Sequence, residues 1–110
     1  MSSWNRNIRY SLGGQQFVWD TEKYDINIMK HKIAFEEAAS VFLDPMTIYR
    51  SDDEHSDDEE REIVVGFSSA ARILFVCSCE REHGDVIRII SARKALSNEI
   101  AEWRNENEGY

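Results

Sequence analysis

Apolar and polar positions recur along this chain in stretches short enough to be delimited one by one. Phe17-Val18-Trp19 is an aromatic and β-branched run, which predicts a short strand. Asp20 follows where a helix N-cap belongs, with Glu22 in the first turn, where a carboxylate suits the helix dipole. Tyr24, Ile28 and His31 then recur at i, i+4 and i+7, so the spacing predicts a helix over 20–31. Lys30, His31 and Lys32 occupy its last turn, the end that favours cations. Phe35, Ala38, Ala39 and Phe42 form a second stripe, begun by Glu36 and Glu37 and stopped by Asp44-Pro45, giving a helix over 35–43.

Strands are expected at 47–50, 62–68, 73–80 and 86–91. The intervals 69–72 and 81–85 are of hairpin length, the second containing Gly84, so these strands are antiparallel neighbours. A last helix is expected over 92–104, through Ile100 and Trp103. Residues 1–16, punctuated by Gly13-Gly14, read as an N-terminal extension before a single domain over 17–110. The expected class is α+β: an antiparallel sheet of four or so strands, with two N-terminal helices and a C-terminal helix packed on one sheet face.

Length and composition narrow the class of molecule. The 110 residues suffice for one core, and 42% hydrophobic with 11% aromatic content excludes a disordered tail or fibrous repeat. The longest apolar run, 73–77, is far short of the roughly 20 residues a membrane span needs. The polar N-terminus shows no apolar secretory h-region, so a cytoplasmic protein without membrane contact is expected. Cys77 and Cys79 lie two apart in a strand, on one side, where neighbours are poorly placed to bridge; they read as small buried hydrophobes. No zinc spacing accompanies them.

The net charge of −8 is concentrated: 52–60 holds seven acids and no Lys or Arg. Without those seven, 14 acids face 13 Lys and Arg, so the rest of the chain is close to neutral. The acidic run is a solvated loop or a patch that steers a basic partner.

No phosphate-cradling glycine loop, nucleophile elbow or metal cluster is readable, and no cofactor is implied. What remains is a set of cations around the sheet: Arg61 opening one strand, Arg81 closing the next, Arg88 within the last and Arg93 at the start of the final helix. Several Arg beside a titratable group suit phosphodiester cleavage without a metal. That chemistry needs a base for the 2′-hydroxyl, cations for the charged transition state and an acid for the leaving oxygen. A competing account of Arg88 is a cross-strand ion pair with Glu80, expected opposite it. His31 on an apolar helix face reads equally as a core histidine.

Taken in order, Phe17-Val-Trp-Asp20, Lys23, Asn27, Lys30-His31, Phe35-Glu-Glu-Ala38, Val41-Phe42, Asp44-Pro45, His55-Ser56, Glu59/Glu60-Arg61, Gly66, Arg81 and Ile87-Arg-Ile-Ile-Ser-Ala-Arg93 resemble the BrnT toxins of bacterial BrnT/BrnA toxin–antitoxin modules. The set runs from Phe17 to about Trp103, nearly the whole chain. The resemblance implies a RelE-like α+β fold, ribonuclease activity on RNA and neutralisation by a BrnA-like, ribbon-helix-helix antitoxin, with DNA reached only through that partner. On this footing Lys30, His31, Arg61, Arg81 and Arg93 are the candidate catalytic residues, and Arg88 and Lys23 the substrate-binding ones. Three positions depart from the family pattern: Lys32 stands where Gly is usual, Ala34 where Ser or Thr caps a helix, and Trp103 where Tyr is common. These departures support a second reading, a catalytically degenerate member acting as a protein-binding module.

Overall fold

A computed structural model describes residues 6–52 and 60–108. The His55 and acidic-run assignments therefore lie outside the described residues, apart from Asp52 and Glu60. In chain order the elements are β1 (Asn7–Leu12), β2 (Gln15–Asp20), α1 (Thr21–His31), α2 (Phe35–Ser40), β3 (Ile48–Ser51), β4 (Arg61–Phe67), β5 (Ile73–Arg81), β6 (Val86–Lys94) and α3 (Ser97–Asn107).

The expected class is corrected here. The described residues form a six-stranded mixed sheet, ordered β1-β2-β6-β5-β4-β3, and two strands precede the first helix. The sheet is not all-antiparallel, because β2 lies parallel to β6, with Phe17 opposite Ile87. This architecture gives little support to the RelE-like label. The β4–β5 and β5–β6 hairpins are antiparallel. Helix α3 begins at Ser97 rather than 92, because residues 92–94 remain paired with Leu74, Phe75 and Val76 of β5. The run 92–96 suits a helix, yet pairing within the sheet outweighs a propensity difference of a few tenths of a kcal/mol per residue.

One sheet face carries the core. Phe17 and Trp19 of β2, Ile89 and Ala92 of β6, Leu74 and Val76 of β5, and Val64 of β4 are buried beneath Ile33, Phe35, Ala38, Ala39 and Val41. Aromatic rings close its edge: Trp19 stacks on Tyr24 at 5.9 Å and meets Phe35 edge-on at 5.7 Å. The Tyr24 hydroxyl donates to Glu36 at 2.7 Å, which, with burial, pushes the phenol up to about 12. Bidentate Arg72 and the Ser68 hydroxyl hold Glu37 of α2, pinning the β4–β5 turn to that helix. Close approach of the segment before β3 to β4 requires Gly66, where a Cβ would collide with Thr47 Oγ1.

Helix α1 occupies an unusual place. β2 pairs with β6 only over residues 86–88, which leaves the outer edge of β6 open further along. Asn27, 4% exposed, fills that gap from α1: its Nδ2 donates to Ala92 O at 2.8 Å and Ile33 O at 2.9 Å, and its Oδ1 accepts from Ala92 N at 3.0 Å. A side-chain amide thus replaces a missing strand. The turn that follows places Lys32 in the left-handed region at φ 61°, its N–H bonded to Ile28 O. Ala34, at the N-cap of α2, supplies no side-chain cap.

Two stability outcomes follow. Asn27→Ala strands one buried N–H and two buried carbonyls, so it should lower unfolding free energy by about 2–4 kcal/mol, read from the urea midpoint at unchanged slope. Lys32→Gly should raise it by about 1 kcal/mol, because glycine adopts this conformation without the Cβ penalty. An unchanged or lower midpoint would count against that assignment of strain.

Candidate functional site

The face opposite the core carries the charge. Register and alternation place Arg61, Cys79 and Arg88 in one cross-strand row, and Cys77 and Ser91 in another. Arg81 lies two residues beyond Cys79, and Arg93 pairs with Phe75, so all four arginines share this face. A β-bulge sustains the pattern. Cys77 pairs with Ser91 while Ser78 pairs with Ile89, leaving Ile90 as the extra residue. The expected pairing of Glu80 with Arg88 does not form: the four-residue turn 82–85 sets Arg81 opposite Val86, hence Glu80 opposite Ile87 and Cys79 opposite Arg88.

Two clefts meet at the bulge. The first, of 250 Å³, is lined by Lys23, Ile26, Asn27, Lys30 and His31 of α1 together with Ile90 and Ser91. The second, of 320 Å³, shares Ile90 and Ser91 and adds Asp52, Arg61, Ile63, Phe75 and Cys77. Lys23, Asn27 and Lys30 project together because they recur at i, i+4 and i+7 on α1. Burial pushes the Cys77 thiol up, against the pull of Arg61 and Lys23, so cations from β4 and from α1 both reach it. Both cysteines are buried and neither is in a disulfide.

Four of the seven sequence-selected residues are therefore gathered: Lys23, Lys30 and His31 around one cleft, Arg61 at the other. Arg88 is half-buried on the same face, in the Cys79 row, but lines neither cleft. Arg81 is exposed at the far end of β5. Arg93 is held differently. It grips Glu99 of α3 through two hydrogen bonds of 2.9 and 2.8 Å, and its guanidinium lies 4.0 Å over the Phe75 ring. It is a clamp between β6 and α3. Trp103 of the same helix meets Phe67 edge-on at 5.3 Å, so the position where a Tyr is common serves packing here. Asn27 and Ser91 were not singled out as site residues. Their signal lay in the motifs that carry them, Asn27 between Lys23 and Lys30, and Ser91 within Ile87–Arg93.

A further cleft of 380 Å³ lies at the end of β3–β5, where Glu60, Glu62 and Glu80 share the lining with Arg50, Arg61, Tyr49 and His83. Burial and then Glu80 push the Glu62 carboxyl up. Among the described residues no three His, Cys, Asp or Glu side chains are grouped to hold a metal, and no helix is long and apolar enough to cross a membrane.

Comparison with known proteins settles the family. The sequence profile described as "Ribonuclease toxin, BrnT, of type II toxin-antitoxin system" matches residues 19–99. This chain belongs to the BrnT toxin family. Its fold resembles the 1.1 Å crystal structure of the Brucella abortus ribonuclease toxin BrnT, at 22% identity and a TM-score of 0.53, over 72% of this chain and 94% of that one. No curated protein matches the chain significantly. The matched region contains α1, the bulge and every candidate residue named above. As a type II toxin-family member, this BrnT chain has an antitoxin as its partner and RNA as its target class.

The α3 clamp has a definite pH signature. The Arg93 hydrogen bonds hold the Glu99 carboxyl below its usual 4.5, outweighing burial, and the Leu96 N–H adds to the effect. A depressed folded-state value gives stability that is present above the ordinary carboxylate range and lost as pH falls through the folded value. Thermal midpoints between about pH 6 and 3 should therefore fall, and Glu99→Gln should start lower and flatten that part of the profile. An equally steep Glu99→Gln profile would assign the acid sensitivity elsewhere.

Proposed function

We propose that this chain is an endoribonuclease toxin that cleaves RNA without a metal, at the junction of the two clefts. The observation that carries the reading is that Lys23, Lys30 and His31 on α1 line one cleft and Arg61 on β4 the next, the two sharing Ile90 and Ser91. In a chain of net charge −8 this is a local positive patch, and a polyanion is drawn to such a patch.

The chemistry is an in-line transesterification. A base removes the proton of the 2′-hydroxyl, whose oxygen attacks the adjacent phosphorus. The 5′-oxygen of the next nucleotide leaves and takes up a proton, so the products carry a 2′,3′-cyclic phosphate and a 5′-hydroxyl. His31 is the proton-transfer group, since an imidazole can both accept and donate a proton. Lys30 and Lys23 neutralise the phosphoryl oxygens as charge develops. Arg61 supports the strand from the second cleft, and Arg88 and Arg81 extend the positive track along β6 and β5. Arg93 contributes by fixing α3 and Phe75. Positive charge that a metal would otherwise supply is carried by these side chains, which is why metal independence belongs to the proposal.

The masking partner is a BrnA-like antitoxin with a ribbon-helix-helix DNA-binding half, so DNA is met only through it. Carboxylates of its toxin-binding segment would occupy the positions of RNA phosphates. The acidic run 52–60 steers the basic partner in a cytoplasmic setting.

Expression of the chain alone should arrest growth, and purified protein should cleave RNA equally in EDTA, leaving 5′-hydroxyl ends. His31→Ala and Lys30→Ala should each reduce the single-turnover rate by about 10²–10⁴-fold while leaving the thermal midpoint within a few degrees. Full loss of cleavage on chelation would overturn the metal-free chemistry. A folded, antitoxin-binding protein with no cleavage under any condition would assign it instead to the non-catalytic class.

A further inference from the structure

The two clefts that meet at the bulge differ in chemistry. The α1 cleft presents Lys23, Lys30 and His31, and no Asp or Glu among the described residues lines it. The Arg61 cleft has an apolar floor of Phe75, Cys77 and Ile90, with Asp52, Arg61 and Ser91 at its lip. With Asp52 and Arg61 both in its lining this cleft carries no net charge, so it attracts a phosphate less than the α1 cleft does and suits a flat neutral group with N–H donors. At 320 Å³ the cleft is near the small end of the range of about 300–1,000 Å³ for ligand pockets.

The floor is also rigid. One face of the Phe75 ring is covered by Arg93, which Glu99 fixes through two bonds, so the remaining ring surface is held in place for a planar partner. Unpaired bases of single-stranded RNA are recognised by stacking on such aromatic surfaces and by hydrogen bonds to their edges. Because both clefts are bounded by Ile90 and Ser91, a phosphate in one and a base in the other can belong to the same nucleotide.

We propose that the Arg61 cleft is a nucleobase pocket, holding the unpaired base of the nucleotide whose phosphate lies over Lys23, Lys30 and Ser91, with guanine preferred. Guanine presents N1–H and its exocyclic amino group on one edge, two donors that a single carboxylate at Asp52 accepts together. Adenine, cytosine and uracil offer no such pair on one carboxylate-sized edge. The inference rests on the reading of this face as the RNA site and adds to it a division of labour: charge from α1, base identity from β3–β6.

The test reads binding, independently of cleavage. The full-length ¹⁵N-labelled protein is titrated with the four ribonucleoside 5′-monophosphates and with ribose 5-phosphate, following backbone amide shifts. Guanosine monophosphate should shift Phe75, Cys77 and Ser91 as well as Lys30, and bind about tenfold or more tighter than the uridine form. Ribose 5-phosphate should shift Lys30 and Ser91 but not Cys77. Asp52→Asn, a lip substitution, should remove the guanine preference. Cys77→Met, which fills the floor, should make all four nucleotides bind like ribose 5-phosphate. Ribose 5-phosphate shifting Cys77 as strongly as the nucleotides would make the cleft a phosphate site and overturn the proposal. Shifts at Lys30 and Ser91 with every ligand, and none at Cys77, would also overturn it while leaving the RNA face standing. Shifts at neither cleft would overturn both readings.

Discussion

A β-strand whose edge is left unpaired must find partners for its N–H and C=O groups or leave them to water, and in this fold the answer is Asn27. Strand β2 covers β6 at residues 86–88 and then turns away into α1. At Ala92 the backbone would be buried with neither group satisfied, a penalty of about 1–3 kcal/mol for each. Asn27 meets both groups of Ala92 and the carbonyl of Ile33 as well. One side chain therefore sets the rotation of α1 against the sheet and ties down the turn after it. Lys23 and Lys30, about one helical turn to either side, line the same cleft as Ser91 as a consequence.

The bulge at Ile90 is the complementary device. Without it, the alternation set by the 82–85 turn would bring Arg93 and Ser91 to the core face and Ala92 out of it. The extra residue resets the alternation once, so that Ile89 and Ala92 are both buried while Arg88, Ser91 and Arg93 share the opposite face. A two-sided strand thereby packs a core and presents a cationic surface within nine residues. The net charge says little about that surface, because position on the sheet, not total, decides what a ligand meets.

Local signals were legible in the sequence and non-local ones were not. The stripes Tyr24-Ile28-His31 and Phe35-Ala38-Ala39 mark α1 and α2, and the short turns mark the β4–β5–β6 meander. β1 was readable too. Residues 7–12 alternate polar and apolar, and Gly13-Gly14, with φ of 59° and 83°, is a hairpin turn of the kind glycine favours. The parallel pairing of β2 with β6 leaves no local trace, since it joins residues 70 apart in the chain. Arg93 was displaced in the reading because 92–96 is made of good helix formers, and only β5 reveals that its first residues are strand. Of the candidate site, Lys30 and His31 were legible as the cationic last turn of α1, and Lys23 through the family resemblance. The meeting of their cleft with that of Arg61 was not, because the bulge that joins the two depends on register.

The separation between β2 and β6 also orders events in time. Phe17 waits for Ile87, and Asn27 waits for Ala92, so neither the parallel pair of the sheet nor the seat of α1 exists until residues 87–92 have been made. Contacts of such long sequence separation are closed late and raise the loop-closure cost of folding. On the ribosome, where an RNA-cutting protein is surrounded by its target, the N-terminal half emerges with its lysines but with nothing to hold them in place. The working surface is completed only once β6 has cleared the exit tunnel and joined the sheet.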